Sequence, residues 1–263
     1  MTRFFTINSG SSGNSAFIET ENGYGILIDA GGSFKRIKDA LTQNDVSLSK
    51  ITAVLITHEH SDHTSALRVL SKNLKIPIIA NKATLLKIYN SNLEIDKNLF
   101  LELPTGASAT TDYFKVKSFH TSHDSVEAVG YRVETNNAVV VTATDTGIVT
   151  REMLQSIKGA NVVLAEANYD LHTLKNGGYP PYLISRILSE TGHLDNSDCG
   201  DFVSLLAKTG VENVILGHLS NENNTVSLAT NTVISKLTEN GVTQKDILLK
   251  VAPRYESSHI YTF

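Results

Sequence analysis

The chain has 263 residues, of which 41% are hydrophobic and 19% are charged, and its formal net charge is −4. These apolar side chains suffice for a sizeable buried core, which excludes a mainly disordered chain. The negative net charge excludes a globally basic nucleic-acid-binding protein, and the single cysteine, Cys199, excludes an internal disulfide or a cysteine-rich zinc site.

Short apolar runs predict three strands and one helix at the start of the chain. The stretches Phe4–Ile7 and Ala16–Ile18 flank the turn residues Ser9–Ser15, which is typical of two strands joined by a tight turn. A third strand is predicted over Tyr24–Ile28. The apolar side chains of Phe34–Leu41 recur at helical spacing, so a helix is expected there.

A recurring pattern follows, in which a β-branched run ends in a polar cluster and a helical stretch often comes next. The predicted strands are Ile51–Ile56, Val116–Phe119, Ala138–Val141, Val162–Ala165 and Val214–Leu216, and the predicted helices are Ser65–Leu70, Arg151–Ile157 and Val226–Leu237. Polar residues just past the carboxyl ends of strands are where α/β sheets place their sites. Without a repeat or a low-complexity linker, we expect one α/β domain over residues 1–263, with Tyr169–Leu194 as an irregular insert.

The start of the chain lacks a signal-peptide pattern, and no apolar run approaches the roughly 18 residues of a membrane-spanning helix. We therefore expect a cytoplasmic protein without membrane contacts.

The strongest chemical signal is the cluster His58-x-His60-x-Asp62-His63, which follows a predicted strand. Imidazole and carboxylate groups are ligands of divalent metals. Four such ligands within six residues of a loop can point in several directions, which suits two adjacent ions better than one. The alternative interpretation is a solvated polar loop, and the further candidate ligands downstream argue against it.

With these motifs the chain resembles the metallo-β-lactamase superfamily, which implies an αββα sandwich of two mixed β-sheets flanked by helices. The resemblance implies one metal site of His58, His60 and His123 and a second of Asp62, His63 and His218. It also implies that Asp145 is a carboxylate shared by both sites. Asp29 would support the loop from His58 to His63, which we name the metal loop. The motifs run from residue 29 to residue 218.

Within the superfamily the chain looks most similar to the YycJ/WalJ-like branch. The supporting strings are Ser9–Asn14, Ser122–Asp124, Glu166–Asn168, Arg186–Leu188, Gly192–Asn196 and Gly217–Asn224. Members of that branch are described as metal-dependent exonucleases on double-stranded DNA. Tyr169 stands where that pattern has His, and Asp195 stands where it has Ser, so both departures bear on substrate detail.

The resulting hypothesis is a phosphodiesterase with two divalent ions (Zn, Mn or Fe) that digests double-stranded DNA from 5′ to 3′. A metal-bridging hydroxide attacks phosphorus, Asp62 orients it, and His193 protonates the leaving oxygen. His193 has the alternative of capping a helix that starts near Asn196, because it precedes that helix-start signal.

Several residues keep two interpretations. Arg186 is either a phosphate clamp or a surface helix residue, because a planar guanidinium matches phosphate geometry. Ser12 and Asn14 are either hairpin residues or substrate-binding residues, and Glu166 is a candidate for bracing a ligand. The basic residues Lys35, Arg36 and Lys38, and also Lys82 and Lys87, indicate either solvated helix faces or a DNA footprint.

Two other functions stay open at this point. A thioester hydrolase of the glyoxalase II type, or another small-molecule metallohydrolase such as a cyclic phosphodiesterase of the phosphonate-pathway type, shares the His-x-His-x-Asp-His motif. A non-catalytic sensor or scaffold with structural metals belongs to a different class. The mildly acidic chain neither favours nor forbids a nucleic-acid substrate, and we expect DNA rather than RNA.

Overall fold

A computed structural model describes residues 1–91, 94–243 and 245–263, and in these residues the strands form two seven-stranded sheets. In chain order the strands are β1 (Arg3–Asn8), β2 (Ser15–Glu19), β3 (Gly25–Ile28), β4 (Ile51–Leu55), β5 (Ile78–Ala80), β6 (Phe100–Glu102), β7 (Ser108–Thr110), β8 (Lys115–His120), β9 (Val129–Glu134), β10 (Val139–Ala143), β11 (Val162–Glu166), β12 (Asn213–Gly217), β13 (Leu248–Val251) and β14 (Tyr261–Thr262).

Helices flank the two sheets. They are α1 (Phe34–Gln43), α2 (Ser61–Thr64), α3 (Leu67–Leu74), α4 (Lys82–Asn90), α5 (Arg151–Ile157), α6 (Leu171–Asn176), α7 (Pro181–Ile187), α8 (Asn196–Lys208) and α9 (Val226–Glu239), with single 3₁₀ turns at Leu48–Lys50 and Lys97–Leu99. Among the described residues, none of these helices has the length and apolar character that crossing a bilayer requires.

Both sheets are mixed. The first has the order β14-β1-β2-β3-β4-β5-β6, antiparallel from β14 to β3 and parallel from β3 to β6. The second has the order β13-β12-β11-β10-β9-β8-β7, parallel from β13 to β10 and antiparallel beyond it. Parallel strands end at the same edge of a sheet. The polar loops after β3 and β4 therefore lie side by side, and so do the polar loops after β10, β11 and β12.

The central strands, such as β2, β3 and β11, are buried on both faces because both faces of each sheet are covered there. Phe4, Ile18 and Tyr131 belong to the core between the sheets, whereas Phe5 and Phe17 belong to the core under the helices of the first sheet. Adjacent residues point to opposite faces of a strand, so one short run supplies both cores. Burying each large side chain contributes about 1.5–3 kcal/mol, which stabilises the sandwich that positions the loops.

The segment Tyr169–Leu194 differs from the prediction of an irregular insert, because it contains α6 and α7. Pro181 stands at the start of α7, where its missing N–H costs nothing, and Leu174 and Ile187 are buried together with Tyr169. The Gly-Gly-Tyr-Pro turn therefore separates two short helices rather than marking an unstructured segment.

The predicted helix Ser65–Leu70 is also wrong in its bounds. The one-turn helix α2, which carries Asp62 and His63, comes first, and α3 follows it.

Farther along the chain, α8 begins after Asp195, whose carboxylate accepts hydrogen bonds from the backbone N–H of Ser197 and Asp198. His193 therefore does not cap this helix.

Candidate metal centre

The candidate ligands lie on loops that follow strands of both sheets. Asp29 follows β3, the cluster from His58 to His63 follows β4, His123 follows β8, Asp145 follows β10 and His218 follows β12. Together with α7 they enclose a cavity of about 220 Å³. The structure thus brings His58 close to His218, although the two lie 160 residues apart in the sequence.

The first donor group consists of His58, His60 and His123. The distance from His58 Nε2 to His60 Nδ1 is 3.1 Å, and that from His60 Nδ1 to His123 Nε2 is 3.3 Å. Tetrahedral ligands at zinc–nitrogen distances of about 2.0–2.1 Å lie roughly 3.3 Å apart, so these nitrogens have the spacing of ligands around one ion. The second ring nitrogens of His58 and His123 also have polar partners. His58 Nδ1 lies 3.0 Å from Thr57 Oγ1, and His123 Nδ1 lies 3.1 Å from the carbonyl of Gly192.

Burial keeps two of these rings neutral. It lowers the pKa of His58 well below the ordinary value, and neighbouring imidazoles lower that pKa further. Burial also lowers the pKa of His123, although the Asp145 carboxylate opposes the shift. A neutral imidazole offers its lone pair to a metal ion, so both pKa shifts favour ligation.

The second donor group consists of Asp62, His63 and His218. Asp62 Oδ2 lies 3.4 Å from His63 Nε2 and 3.5 Å from His218 Nε2. Asp145 lies between the two groups, because its Oδ2 is 3.4 Å from His63 Nε2 and its Oδ1 is 3.8 Å from His123 Nε2.

Unpartnered buried atoms show that these side chains fit a divalent cation. Asp145 Oδ2 and His218 Nε2 are buried without a hydrogen-bond partner among the described residues, which is costly unless a ligand satisfies them. Burial opposes protonation of His218, but the carboxylates around it raise its pKa to about 10. The carboxylates therefore favour positive charge here, and a metal ion would supply that charge in place of protons.

Asp29 and Asn14 support the metal loop through hydrogen bonds. Asp29 accepts hydrogen bonds from His63 Nδ1 at 2.8 Å and from the backbone N–H of Thr57 at 2.8 Å. The Asn14 amide donates to Asp62 Oδ2 at 3.1 Å and lies 3.0 Å from His63 Nε2. Ser12 is exposed, whereas its neighbour Ser11 lines the cavity.

Glu166 connects the second donor group to His193. Its Oε1 accepts hydrogen bonds from His193 Nδ1 at 2.7 Å and from His218 Nδ1 at 2.9 Å, and its Oε2 accepts from the backbone N–H of Thr146 at 2.7 Å. Burial opposes ionisation of Glu166, but the two histidines outweigh it and hold the pKa of the carboxyl well below its ordinary value. His193 lines the cavity and stays partly exposed.

Arg186 also lines the cavity, and both of its hydrogen bonds go to the carboxylate of Asp124. Burial opposes ionisation of Asp124, but Arg186 lowers the pKa of this carboxyl below its ordinary value. Nε and Nη2 make these bonds, which leaves Nη1 available to a ligand.

Several residues that line the cavity had no predicted role, among them Asn168, Tyr179 and Leu183. Asn168 donates from its amide to the carbonyl of His218 at 2.8 Å, and it also lines the cavity. Tyr179 and Leu183 also line the cavity. Asn168 stands in the Glu-Ala-Asn string that follows a strand, so that string was an available signal. The roles of Tyr179 and Leu183 depend on where α6 and α7 fold back.

Residues 24–219 match the protein family described as the β-lactamase superfamily domain. The exodeoxyribonuclease YycJ of Bacillus anthracis is 34% identical over 240 residues, which cover 90% of this chain and 90% of that protein. The exodeoxyribonuclease WalJ of Streptococcus pneumoniae is 35% identical over 239 residues, which cover 90% of this chain and 88% of that protein. The predicted resemblance to the YycJ/WalJ-like branch is confirmed.

Solved structures show the same architecture. The metallo-β-lactamase fold protein YhfI from Bacillus subtilis superposes with a TM-score of 0.73 at 15% identity, covering 100% of both chains. Zn²⁺-bound PqqB from Methylobacterium extorquens superposes with a TM-score of 0.72 at 14% identity, covering 99% of this chain and 100% of that one. These likenesses confirm the predicted fold class.

Proposed function

This chain belongs to the β-lactamase superfamily and is a metal-dependent hydrolase, and on that premise we propose that it is a DNA exonuclease with two divalent ions. The observation that carries the proposal is the pair of donor groups in one cavity, with Asp145 between them. Similarity over 90% of the chain to two proteins named exodeoxyribonucleases supports a nucleic-acid substrate. Digestion of double-stranded DNA from the 5′ end, with Zn, Mn or Fe, completes the proposal.

The first donor group would hold one ion and the second donor group the other, and Asp145, which lies between the two groups, would be shared by both. Bound ions would supply Lewis acidity toward the scissile phosphate and would lower the pKa of the attacking water. The chain itself fixes the ligand positions through Asp29, Asn14 and Glu166. Such bracing partners commonly change metal affinity by about 10- to 100-fold.

Asp62 has a further role in orienting the attacking water. Its Oδ2 is engaged by Asn14 and lies near His63 and His218. Its side chain is 22% exposed, whereas those of His63 and His218 are almost fully buried. Oδ1 is therefore the oxygen available to accept a hydrogen bond from water, which would align a lone pair of that water with phosphorus.

His193 is the candidate proton donor to the leaving oxygen. Its Nδ1–H donates to Glu166 Oε1 at 2.7 Å, so Nε2 is the nitrogen that can face a substrate in the cavity. The hydrogen bond to Glu166 fixes the orientation of the ring, so that a protonated His193 can release its proton from Nε2 into the cavity. The alkoxide that leaves a phosphodiester needs that proton, because unprotonated it is a poor leaving group.

Arg186 would bind a phosphate oxygen through Nη1 while Asp124 holds the other side of its guanidinium group. Fixing one edge of the fork reduces the side-chain entropy lost on binding. Ser12 and Asn14 remain substrate-binding candidates, and the contacts of Asn14 favour a bracing role for that residue.

The test is a substrate panel assayed with the metal-loaded protein. We expect hydrolysis of 5′-phosphorylated duplex DNA and slower hydrolysis of bis-p-nitrophenyl phosphate, with release of mononucleotides from the 5′ end. Single-stranded DNA and RNA of the same sequence measure the strand and sugar preferences.

Two outcomes would overturn the proposal. Cleavage of S-lactoylglutathione alone would make the chain a thioester hydrolase, and metal binding without any cleavage would favour a sensor or scaffold. The variant Asp145→Asn controls for contaminating nucleases, because its loss of activity assigns the cleavage to this site.

A further inference from the structure

An exposed aromatic side chain lies close to two guanidinium groups outside the metal-binding cavity. Tyr255 is 53% exposed, and its ring centroid lies 5.3 Å from Arg36 Cζ and 5.9 Å from Arg254 Cζ. A second cavity of about 320 Å³ is lined by Tyr255, Arg36 and Lys35, among others. We name Lys35, Arg36, Arg254 and Tyr255 the cationic platform.

The cationic platform adjoins one wall of the metal-binding cavity. Arg254 Nη2 donates to the carbonyl of Leu219 at 2.9 Å, and Leu219 stands between His218 and Ser220, which both line that cavity. Arg254 also packs against Gly10, since a Cβ on Gly10 would lie 3.1 Å from Arg254 Nε. Gly10 directly precedes Ser11, another lining residue, so the platform and the cavity share two loops.

Lys35 and Arg36 are the cations of the platform that are available to an anion, because Arg254 donates through Nη1 to Asn221 Oδ1 and through Nη2 to the carbonyl of Leu219, and its Nε is buried. In the part of the chain that the structure describes, Lys35, Arg36 and Arg254 have no carboxylate oxygen within 4.0 Å. Arg36 Nη1 donates to Asn8 Oδ1 at 3.1 Å, which anchors one corner of its guanidinium and leaves Nη2 and Nε available.

Two carboxylates, Asp39 and Glu256, also line the second cavity. Lys35 and Arg36 balance these two carboxylates, so the lining of the second cavity is neutral, and Arg254 beside it adds one positive charge, whereas the whole chain carries −4. Because this excess is small, charge alone would hold an anion weakly, and the exposed ring must contribute to a useful site. A ligand that combines phosphates with flat apolar rings matches both features.

We propose that the cationic platform binds the substrate DNA strand a few nucleotides away from the bond that is cleaved. This inference rests on the proposed function, because it assigns the platform to the same substrate. Lys35 and Arg36 would contact phosphates, and a base would stack on Tyr255 or on the guanidinium of Arg36. Contacts of this kind are tolerant of sequence, because every base has a flat face.

The test compares a dinucleotide with an oligonucleotide of about ten nucleotides, since only the longer one reaches the platform. The ratio of kcat/KM for the long substrate over the short one is measured for wild type, Tyr255→Ala and Lys35→Ala/Arg36→Ala. We expect the ratio to fall about tenfold in Tyr255→Ala. In the double variant we expect the salt dependence of long-substrate binding to weaken by a slope of about 1–2.

Matched variants separate the platform from general effects. Tyr255→Phe keeps the ring and should retain the wild-type ratio. Lys82→Ala/Lys87→Ala removes two exposed charges from α4 and should leave the salt dependence unchanged. Thermal unfolding midpoints confirm that each variant folds.

The outcomes distinguish this inference from the proposed function. An unchanged length ratio in Tyr255→Ala, with both substrates still cleaved, would overturn the platform and leave the exonuclease intact. An equal loss of salt dependence in the α4 control would also overturn it. If the wild-type protein cleaves neither substrate, the proposed function fails and the platform has no role as a DNA site.

Discussion

Three residues of the metal centre have a backbone conformation that only glycine adopts easily. The φ angles of Asp29, Asp145 and His218 are 61°, 56° and 56°. A non-glycine residue in the left-handed region costs of order 1 kcal/mol of folding free energy. It persists where contacts with the surrounding structure hold it in place. His218 has such a contact, because its N–H donates to Ser9 Oγ at 2.9 Å. The strain lies where strands must end abruptly to aim side chains into the cavity.

Replacement of His193 by alanine should slow cleavage most when the leaving group is poor. We expect kcat on DNA to fall by about 100-fold or more, because an alkoxide leaves without the proton that His193 supplies. Hydrolysis of bis-p-nitrophenyl phosphate should fall much less, since p-nitrophenolate leaves without protonation. Steady-state kinetics on both substrates measures the difference.

The exposed residue His172 provides the matched control for that experiment. His172→Ala should keep wild-type kinetics on both substrates. Equal losses on DNA and on the nitrophenyl ester in His193→Ala would contradict the assignment of His193 as the proton donor.

Metal-free protein should lose stability as pH rises. The carboxylates around His218 outweigh its burial and raise its pKa to about 10, so the charged ring stabilises the folded state. That contribution is fully present below the unfolded pKa of about 6.5 and is lost as pH approaches 10. The Tm of chelator-treated protein should therefore fall by several degrees across this range.

The variant His218→Gln tests the origin of that slope. Its Tm should fall less steeply with pH, because the raised pKa is absent. A metal-free wild-type protein that gains stability over the same pH range would show that the charged His218 ring does not stabilise the folded state.

At the level of elements, the metal loop depends on one glycine. Gly31 follows β3, and its N–H donates to the carbonyl of Asn14 at 2.9 Å. A Cβ at this position would lie 1.7 Å from the carbonyl oxygen of Asp62 and 2.4 Å from the backbone nitrogen of Asn14. Both neighbours are backbone atoms, so they cannot move aside without displacing a metal ligand.

Gly31→Ala should therefore destabilise the protein by roughly 2–4 kcal/mol and weaken metal binding. Denaturant unfolding and metal titration measure the two effects. Gly178→Ala is the matched control, because no atom lies within 4 Å of its Cβ position and its φ is not positive. Wild-type metal affinity in Gly31→Ala would show that the loop tolerates the side chain.

Helix α7 and the turn before it supply an apolar side of the cavity that the ligands also line. Tyr179, Leu183 and Ile187 line that side, and Tyr179 packs against the buried cluster of Tyr169 and Leu174. A packed ring loses little entropy on binding, which suits it to contact the base or sugar beside the scissile phosphate.

Tyr179→Ala should raise KM for a dinucleotide about tenfold and have little effect on one with an abasic site. Tyr182, only three residues away, is 75% exposed and does not line the cavity. Tyr182→Ala is therefore the control and should keep the wild-type KM. Equal effects of Tyr179→Ala on both dinucleotides would exclude a contact with the base.

At the level of the whole molecule, the two ends of the chain meet in one sheet. Strand β14 pairs with β1, and Arg3 lies opposite Thr262. The donor groups come from both sheets, so their spacing depends on how the sandwich packs. That residues 1–263 form a single domain stays a prediction, and these long-range pairings support it.

Much of the fold and of the metal centre could be predicted from the sequence because the signals are local. The cluster from His58 to His63 is contiguous, and Asp145 and His218 each follow a β-branched run. Helix α5 has the predicted bounds because Thr150 caps it and apolar spacing defines its length.

The rest depends on contacts that a sequence does not display. The pairing of Arg186 with Asp124 joins residues 62 positions apart. The cationic platform combines α1 with the loop before β14, and neither segment alone suggests the other. Helices α6 and α7 are short and mostly exposed, so their apolar periodicity is weak.

Metal titration is the sharpest test of the proposal that two ions in this cavity hydrolyse DNA. Chelator-treated protein is titrated with Mn²⁺ while bound metal and 5′-mononucleotide release from duplex DNA are measured together. We expect activity to saturate at two ions per chain, and we expect Asp145→Ala to retain fewer ions and to show no DNA cleavage. Full activity at one ion per chain, or no DNA cleavage with two bound, would contradict it.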